Sequence, residues 1–171
     1  MPDPEAFKKA KNQALKYLSY RDRSKWEITQ YLQKKQHSHL VIQQTLEYLE
    51  NLDYVDDQRF ALQWGQFSIN KKKLGRNRLY LELLNKGIDR ETLENIVVTL
   101  YENNPEIQLA EECARKKWET LKGVEVKKKK QRLFQHLKRR GFSADIIYQS
   151  LITLNMEISY TPTSSILDKD L

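Results

Sequence analysis

The side chains in this sequence best suited to chemistry are cationic, and they are clustered. Lys71, Lys72 and Lys73 are followed by Arg76 and Arg78; Lys127, Lys128, Lys129 and Lys130 are followed by Arg132 and then by Lys138, Arg139 and Arg140. A sparser group, Arg21, Arg23 and Lys25, lies near the start. Cations at that density suit a polyanion, either a phosphate backbone or an acidic groove on another protein. They equally suit a solvated rim that keeps the chain soluble. Nothing resembling a catalytic constellation accompanies them. His37, His39 and His136 belong to no metal motif, and Cys113 is the one cysteine, so neither a disulfide nor a cysteine zinc site can form within the chain. Asp56-Asp57 and Glu111-Glu112 imitate paired acids, but adjacent residues on a helix do not face each other, and such pairs suit helix N-termini. There is no glycine-rich phosphate loop or dinucleotide fingerprint. The residues therefore describe a binding protein, not an enzyme, with no cofactor and no metal.

The composition agrees. Over 171 residues, 30 Lys and Arg against 23 Asp and Glu leave a formal charge of +7. No apolar run exceeds three residues, and Met1-Pro2-Asp3-Pro4 is not a secretory signal, so the expectation is a cytoplasmic protein without a membrane segment. Only 5 Gly and 4 Pro argue against an all-β fold, which needs frequent turns. Three Trp, nine Tyr and five Phe argue against disorder.

The elements that would position the cations are helices. Asp3 and Pro4 suit the opening of a first helix from about Glu5 to Tyr20, with Phe7, Ala10, Ala14, Leu15 and Leu18 on one face. Ser24 and Glu27 form a capping box for a second helix ending near Lys35, and Ser38 caps a third. This three-helix pattern recurs. Aligning Leu32, Leu83 and Leu137 also aligns Ile28 with Leu79 and Leu133, Ile42 with Leu93 and Ile147, Leu46 with Val97 and Leu151, and Leu49 with Leu100 and Leu154. The turns agree: Lys86-Gly87-Ile88-Asp89 and Arg140-Gly141-Phe142-Ser143 each place a glycine, an apolar residue and a cap in series. The first copy has Gln36-His37-Ser38 instead, so that turn must take another geometry or accept strain at Gln36.

The expected fold is thus all-α, three tandem three-helix repeats in an elongated, curved array: residues 1–55, 56–103 and 104–156, then a flexible tail over 157–171. Asn70 to Gly75 and Gly123 to Val126 are expected to lie outside helices. The basic clusters recur at one corner of each repeat, the start of the second helix, where cations oppose the helix dipole and local stability does not explain them. Stacked repeats would align those corners into a positive strip. Trp26, Trp64 and Trp118 fall beside apolar residues, which favours the core for all three.

At this level the sequence is similar to a known family. Asn51 to Ala61, with Asp56, Asp57, Arg59 and Phe60, resembles the apolar-acidic stretch and Arg-Phe-Ala hallmark of the RecX regulators. Ala14 to Ser24 resembles their opening helix and Arg/Ser-rich turn, and Leu74-Gly75-Arg76 with Lys86-Gly87-Ile88 their Gly-Arg turn and second helix. The likeness runs from about Ala14 to Asn155, and departs at Gln36-His37. It implies a modulator of the RecA recombinase that binds the RecA–single-stranded DNA filament in its groove and limits filament growth or stability; the chain itself is expected to be a monomer. The candidate contact residues are Lys71, Lys72, Lys73, Arg76, Arg78, Lys127 to Lys130, Arg132, Arg139 and Arg140; Asp56, Asp57, Arg59 and Phe60 are expected to be structural, fixing the joint between the first two repeats. The alternative is a helix-turn-helix-like protein that binds single- or double-stranded DNA directly.

Overall fold

The computed structural model describes residues 3–153, and among these there are nine α-helices and no strand. The first unit comprises α1 (Pro4–Leu18), α2 (Lys25–Lys34) and α3 (His39–Asn51); the second α4 (Asp57–Phe67), α5 (Arg76–Leu84) and α6 (Arg90–Asn103); the third α7 (Glu106–Thr120), α8 (Val126–Arg139) and α9 (Ala144–Thr153). Leu154 and the segment expected to be a flexible tail lie outside the described residues.

The caps are those the residue types demand. Asp3 accepts from the Glu5 amide ahead of Pro4, Ser24 and Glu27 close a reciprocal capping box, and Ser38, Asp56 and Asp89 each accept from the amide three residues on. The aligned leucines and isoleucines form the core: Ile28, Leu79 and Leu133, and Leu32, Leu83 and Leu137, are fully buried, as are Leu93 and Ile147, while Ile42 is nearly so. The three turns between second and third helices also match. Gln36, Gly87 and Gly141 have φ of 63°, 77° and 91°, so Gln36 adopts the left-handed conformation despite carrying a side chain. For a non-glycine residue that costs on the order of 1 kcal/mol.

The burial is not divided equally. One apolar cluster, from Ala10 to Val55, belongs to the first unit alone. A second runs without interruption from Phe60 to Leu151, so the second and third units share one core.

Two expectations need correction. The chain after α4 does not leave the helix at Asn70: Ser68–Lys72 continues as a π-helical turn, and Lys73 then breaks it with φ 50°. The wider turn lets buried Ile69 reach the core while the lysines run along its outer side. Nor are the tryptophans fully buried. Trp26 is 46% exposed, and Trp64 and Trp118 are half-buried beneath cations. An indole has an apolar edge to pack and a π-face that attracts ammonium groups, so helical spacing alone does not tell the two uses apart.

Candidate cationic interface

The two richest basic clusters occupy corresponding places in their units, and the structure uses them differently. In the second unit the chain from Lys72 to Arg78 lies against the third unit. The Gly75 amide donates to the Arg140 carbonyl at 2.8 Å and the Asn77 amide to the Gly141 carbonyl at 3.2 Å. The Arg140 guanidinium returns a hydrogen bond to the Lys72 carbonyl. Lys73 pairs with Glu112 at 2.9 Å, and Arg76 with Glu106 at 3.5 Å. The fit is close: a Cβ on Gly75 would stand 2.6 Å from the Gly141 carbonyl group, and one on Gly141 would stand 2.3 Å from the Arg78 backbone. Lys72 and Arg78 both reach Glu82, at 3.0 and 3.7 Å. Of this cluster only Lys71 points away from any partner among the described residues, and it is exposed. The smaller group in the first unit is also engaged. Arg21 pairs with Glu27, Lys25 with Glu50 at 2.6 Å, and the Arg23 guanidinium lies 3.9 Å from the centre of the Tyr17 ring.

The third-unit cluster is different. Helix α8 carries Lys127 to Lys130, Arg132, Lys138 and Arg139 without one acidic residue. Among the described residues its only ion pair is Lys128 with Glu125 at 3.6 Å, both well exposed, and such pairs contribute little. Lys129 covers the Trp118 ring at 3.7 Å. Lys127, Lys130, Arg132, Lys138 and Arg139 pair with no described carboxylate. Lys138 and Arg139 suit the last turn of the helix, but the lysines at its start do not suit the first. Glu125 makes no side-chain cap, the first turn holds no acid, and like charges recur three and four residues apart. The neighbouring charge also reaches His136, whose pKa is pushed below the ordinary imidazole value by burial and by Arg140, Lys117 and Arg139.

Arg139 stands between two depressions. One, of about 900 Å³, crosses from α5 to the α8–α9 turn and is lined by Lys72, Arg78, Glu82, Phe134, Lys138 and Arg139 among others. The other, of about 400 Å³, lies between α7 and α8 and includes Lys117, Gln131, Arg132, Gln135 and Arg139, with no acid. The sequence clusters did not mark Lys117, Gln131 or Gln135; their signal is the spacing of 131, 135 and 139 along one face of α8.

The family-motif residues lie where the first unit meets the second. Asp56 caps α4 through the Arg59 amide, the Arg59 guanidinium donates to the Asp53 carbonyl at 2.7 Å, and Asp57 accepts from the Lys25 amide at 2.8 Å. Burial pushes the Asp57 carboxyl up, and the Lys25 amide and charge offset this in part. Phe60 is buried and stacks on Trp64 at 5.9 Å.

Family models described as the first, second and third three-helix domains of RecX match residues 10–49, 56–95 and 105–151. A regulatory protein RecX of Clostridioides difficile is 34% identical over 149 residues, which are 87% of this chain and 69% of that protein. The chain belongs to the RecX family. RecX proteins of Bacillus subtilis and Staphylococcus haemolyticus are 34% and 30% identical over 90% and 98% of the chain, which spans 58% and 62% of their lengths. The crystal structure of RecX from Lactobacillus salivarius superposes with a TM-score of 0.78 at 26% identity, covering 90% of this chain and 99% of that one. The three-helix units are therefore RecX units. No described helix is long and apolar enough to cross a membrane.

Proposed function

We propose that this protein is a binding regulator, not an enzyme, that modulates the RecA recombinase as a monomer by docking on the RecA–single-stranded DNA filament and limiting its growth or stability. The docking surface is the cationic face of α8, extended through Arg139 toward Arg78. The observation that carries this reading is the run of lysines at the start of α8, where a helix favours acids and where, among the described residues, only Lys128 has a carboxylate partner. A face built against local stability fits an anionic partner. The names of the relatives supply the regulatory role. The units 1–55, 56–103 and 104–156 act together, the first two carrying the third into the groove of the filament. Lys72, Lys73, Arg76 and Arg140 serve mainly to hold the second unit on the third, with Lys71 and Arg78 at the margin of the face.

The test adds the protein to preassembled RecA filaments and follows ATP hydrolysis and light scattering at two salt concentrations. Inhibition at stoichiometric ratios, weaker at the higher salt, is expected. No inhibition overturns the proposal. Tight binding to bare DNA with no effect on the recombinase would favour direct nucleic-acid binding instead.

A further inference from the structure

Both junctions between units use one docking mode. The first backbone amide of a second helix donates to the carboxylate that opens the next unit's first helix: Lys25 to Asp57 at 2.8 Å, and Arg76 to Glu106 at 2.9 Å. The residue just before that amide meets the carbonyl ahead of the left-handed glycine: the Ser24 hydroxyl donates to the Lys86 carbonyl at 2.6 Å, and the Gly75 amide to the Arg140 carbonyl at 2.8 Å. What lies beneath these bonds differs. At the second junction the Tyr101 hydroxyl donates to the Leu74 carbonyl at 2.7 Å inside a continuous apolar core. At the first junction the two cores are separate, one ending at Val55 and the other beginning at Phe60. The space between is filled by charge. Glu27, only 8% exposed, takes Arg21 at 2.7 Å from its own unit and Lys86 at 2.7 Å from the next. Lys86 and Arg21 both flank the Trp64 ring, at 4.6 and 5.8 Å, and Trp26 covers Gly87 while remaining 46% exposed. The chain crosses this junction through Leu52 to Asp56, with Asp53 at φ 55°.

We propose that the first unit is articulated: it swings as a rigid body on the 52–56 crossing against a single block formed by the second and third units, and the Arg21–Glu27–Lys86 cluster is the latch that holds it closed. Apolar burial resists added salt, whereas ion pairs and cation–π contacts are screened by it. Each unit keeps its own core when the latch opens, so the motion unfolds nothing. The closed state aims the first unit in one direction relative to α8; the open state lets it adapt to a partner whose curvature differs.

Pairs of spin labels on the full chain test this. In a Cys113→Ala background, Glu47→Cys with Glu94→Cys spans the first junction, and Glu94→Cys with Gln149→Cys spans the second; all three positions are exposed. The 94–149 distance distribution is expected to stay narrow throughout. The 47–94 distribution is expected to be narrow at low salt and to broaden at about 1 M NaCl, where the screening length falls to roughly 3 Å. Glu27→Gln should broaden it at low salt; glutamine keeps the capping-box hydrogen bond, so α2 still forms. Lys86→Met, which leaves the Arg21–Glu27 pair intact, should do the same. A 47–94 distribution unmoved by salt and by both substitutions overturns the proposal, as does equal broadening across the second junction.

Discussion

Residues 71–78 and 127–132 read alike as strings of Lys and Arg at the start of a second helix, and the structure partners them differently. In the first string the cations meet carboxylates at 82, 106 and 112 and the backbone carries two hydrogen bonds across the junction. In the second, four consecutive lysines, more than a full helix turn, are answered among the described residues only by Glu125. Basic density alone does not separate glue from bait. The deciding information is where the acids stand, and those acids are on other helices.

The largest effect is expected from prying the first string off its neighbour. Gly141→Ala places a Cβ 2.3 Å from Arg78 at φ 91°, and should cost about 3 kcal/mol in urea unfolding. Gly123→Ala shares the positive φ but meets nothing within 4 Å, so about 1 kcal/mol is expected. Equal losses would show that the close approach at the junction is unimportant. Next in size, reversing Lys127 to Lys130 to Glu should weaken inhibition of RecA about tenfold or more, while changing stability by less than about 1 kcal/mol, because acids favour a helix N-terminus. Retained inhibition would make that run a solvated surface. Arg76→Gln should show the reverse profile. It deprives the half-buried Glu106 of its guanidinium and should cost about 1 kcal/mol with inhibition otherwise preserved.

The smallest effect is a difference in acid response between the two junctions, read by amide exchange at Ser24, which donates to Glu27, and at Gly75, which donates to the Arg140 carbonyl. Burial alone would raise the Glu27 carboxyl, but Arg21 and Lys86 outweigh it and hold the group below its ordinary value of 4.5. Its contribution is present above that value and is lost as pH falls through the lowered one. Glu106 is opposite: burial pushes it above 4.5, and Arg76 offsets this only partly. Its contribution is complete below 4.5 and is lost as pH rises through the raised value. Acidification from neutrality should therefore first tighten the Gly75 amide, as the second junction is stabilised, and only later loosen that of Ser24. Simultaneous loosening would contradict the assignment.

Much of the fold was legible in the residues. The leucine register locates the buried positions of all three units because each helix must turn one face inward, and the caps at Ser24, Ser38, Asp56 and Asp89 are local chemistry. Even the strain at Gln36 follows from a turn whose sister turns carry glycine. The candidate interface was legible only as composition. Lys73 and Arg76 pair with Glu112 and Glu106, which are 39 and 30 residues away and belong to no periodic pattern. The unequal sharing of cores was also hidden, since Val55 and Phe60 look equally able to continue one apolar cluster. The π-turn at Ser68–Lys72 has no signal that separates it from a frayed helix end.

Gln36 has a consequence for assembly. A junction that seats one unit's second helix on the next unit's turn joins unlike surfaces, and contacts of that kind propagate without closing. Both turns that receive a helix are glycine there, and a Cβ at Gly87 or Gly141 would stand 2.2 or 2.3 Å from the chain that docks on it. The first unit's turn carries that Cβ and a whole amide side chain beyond it. A helix seated there as on its sisters would have to displace that side chain, so of the three turns this one is the least suited to receive a neighbour.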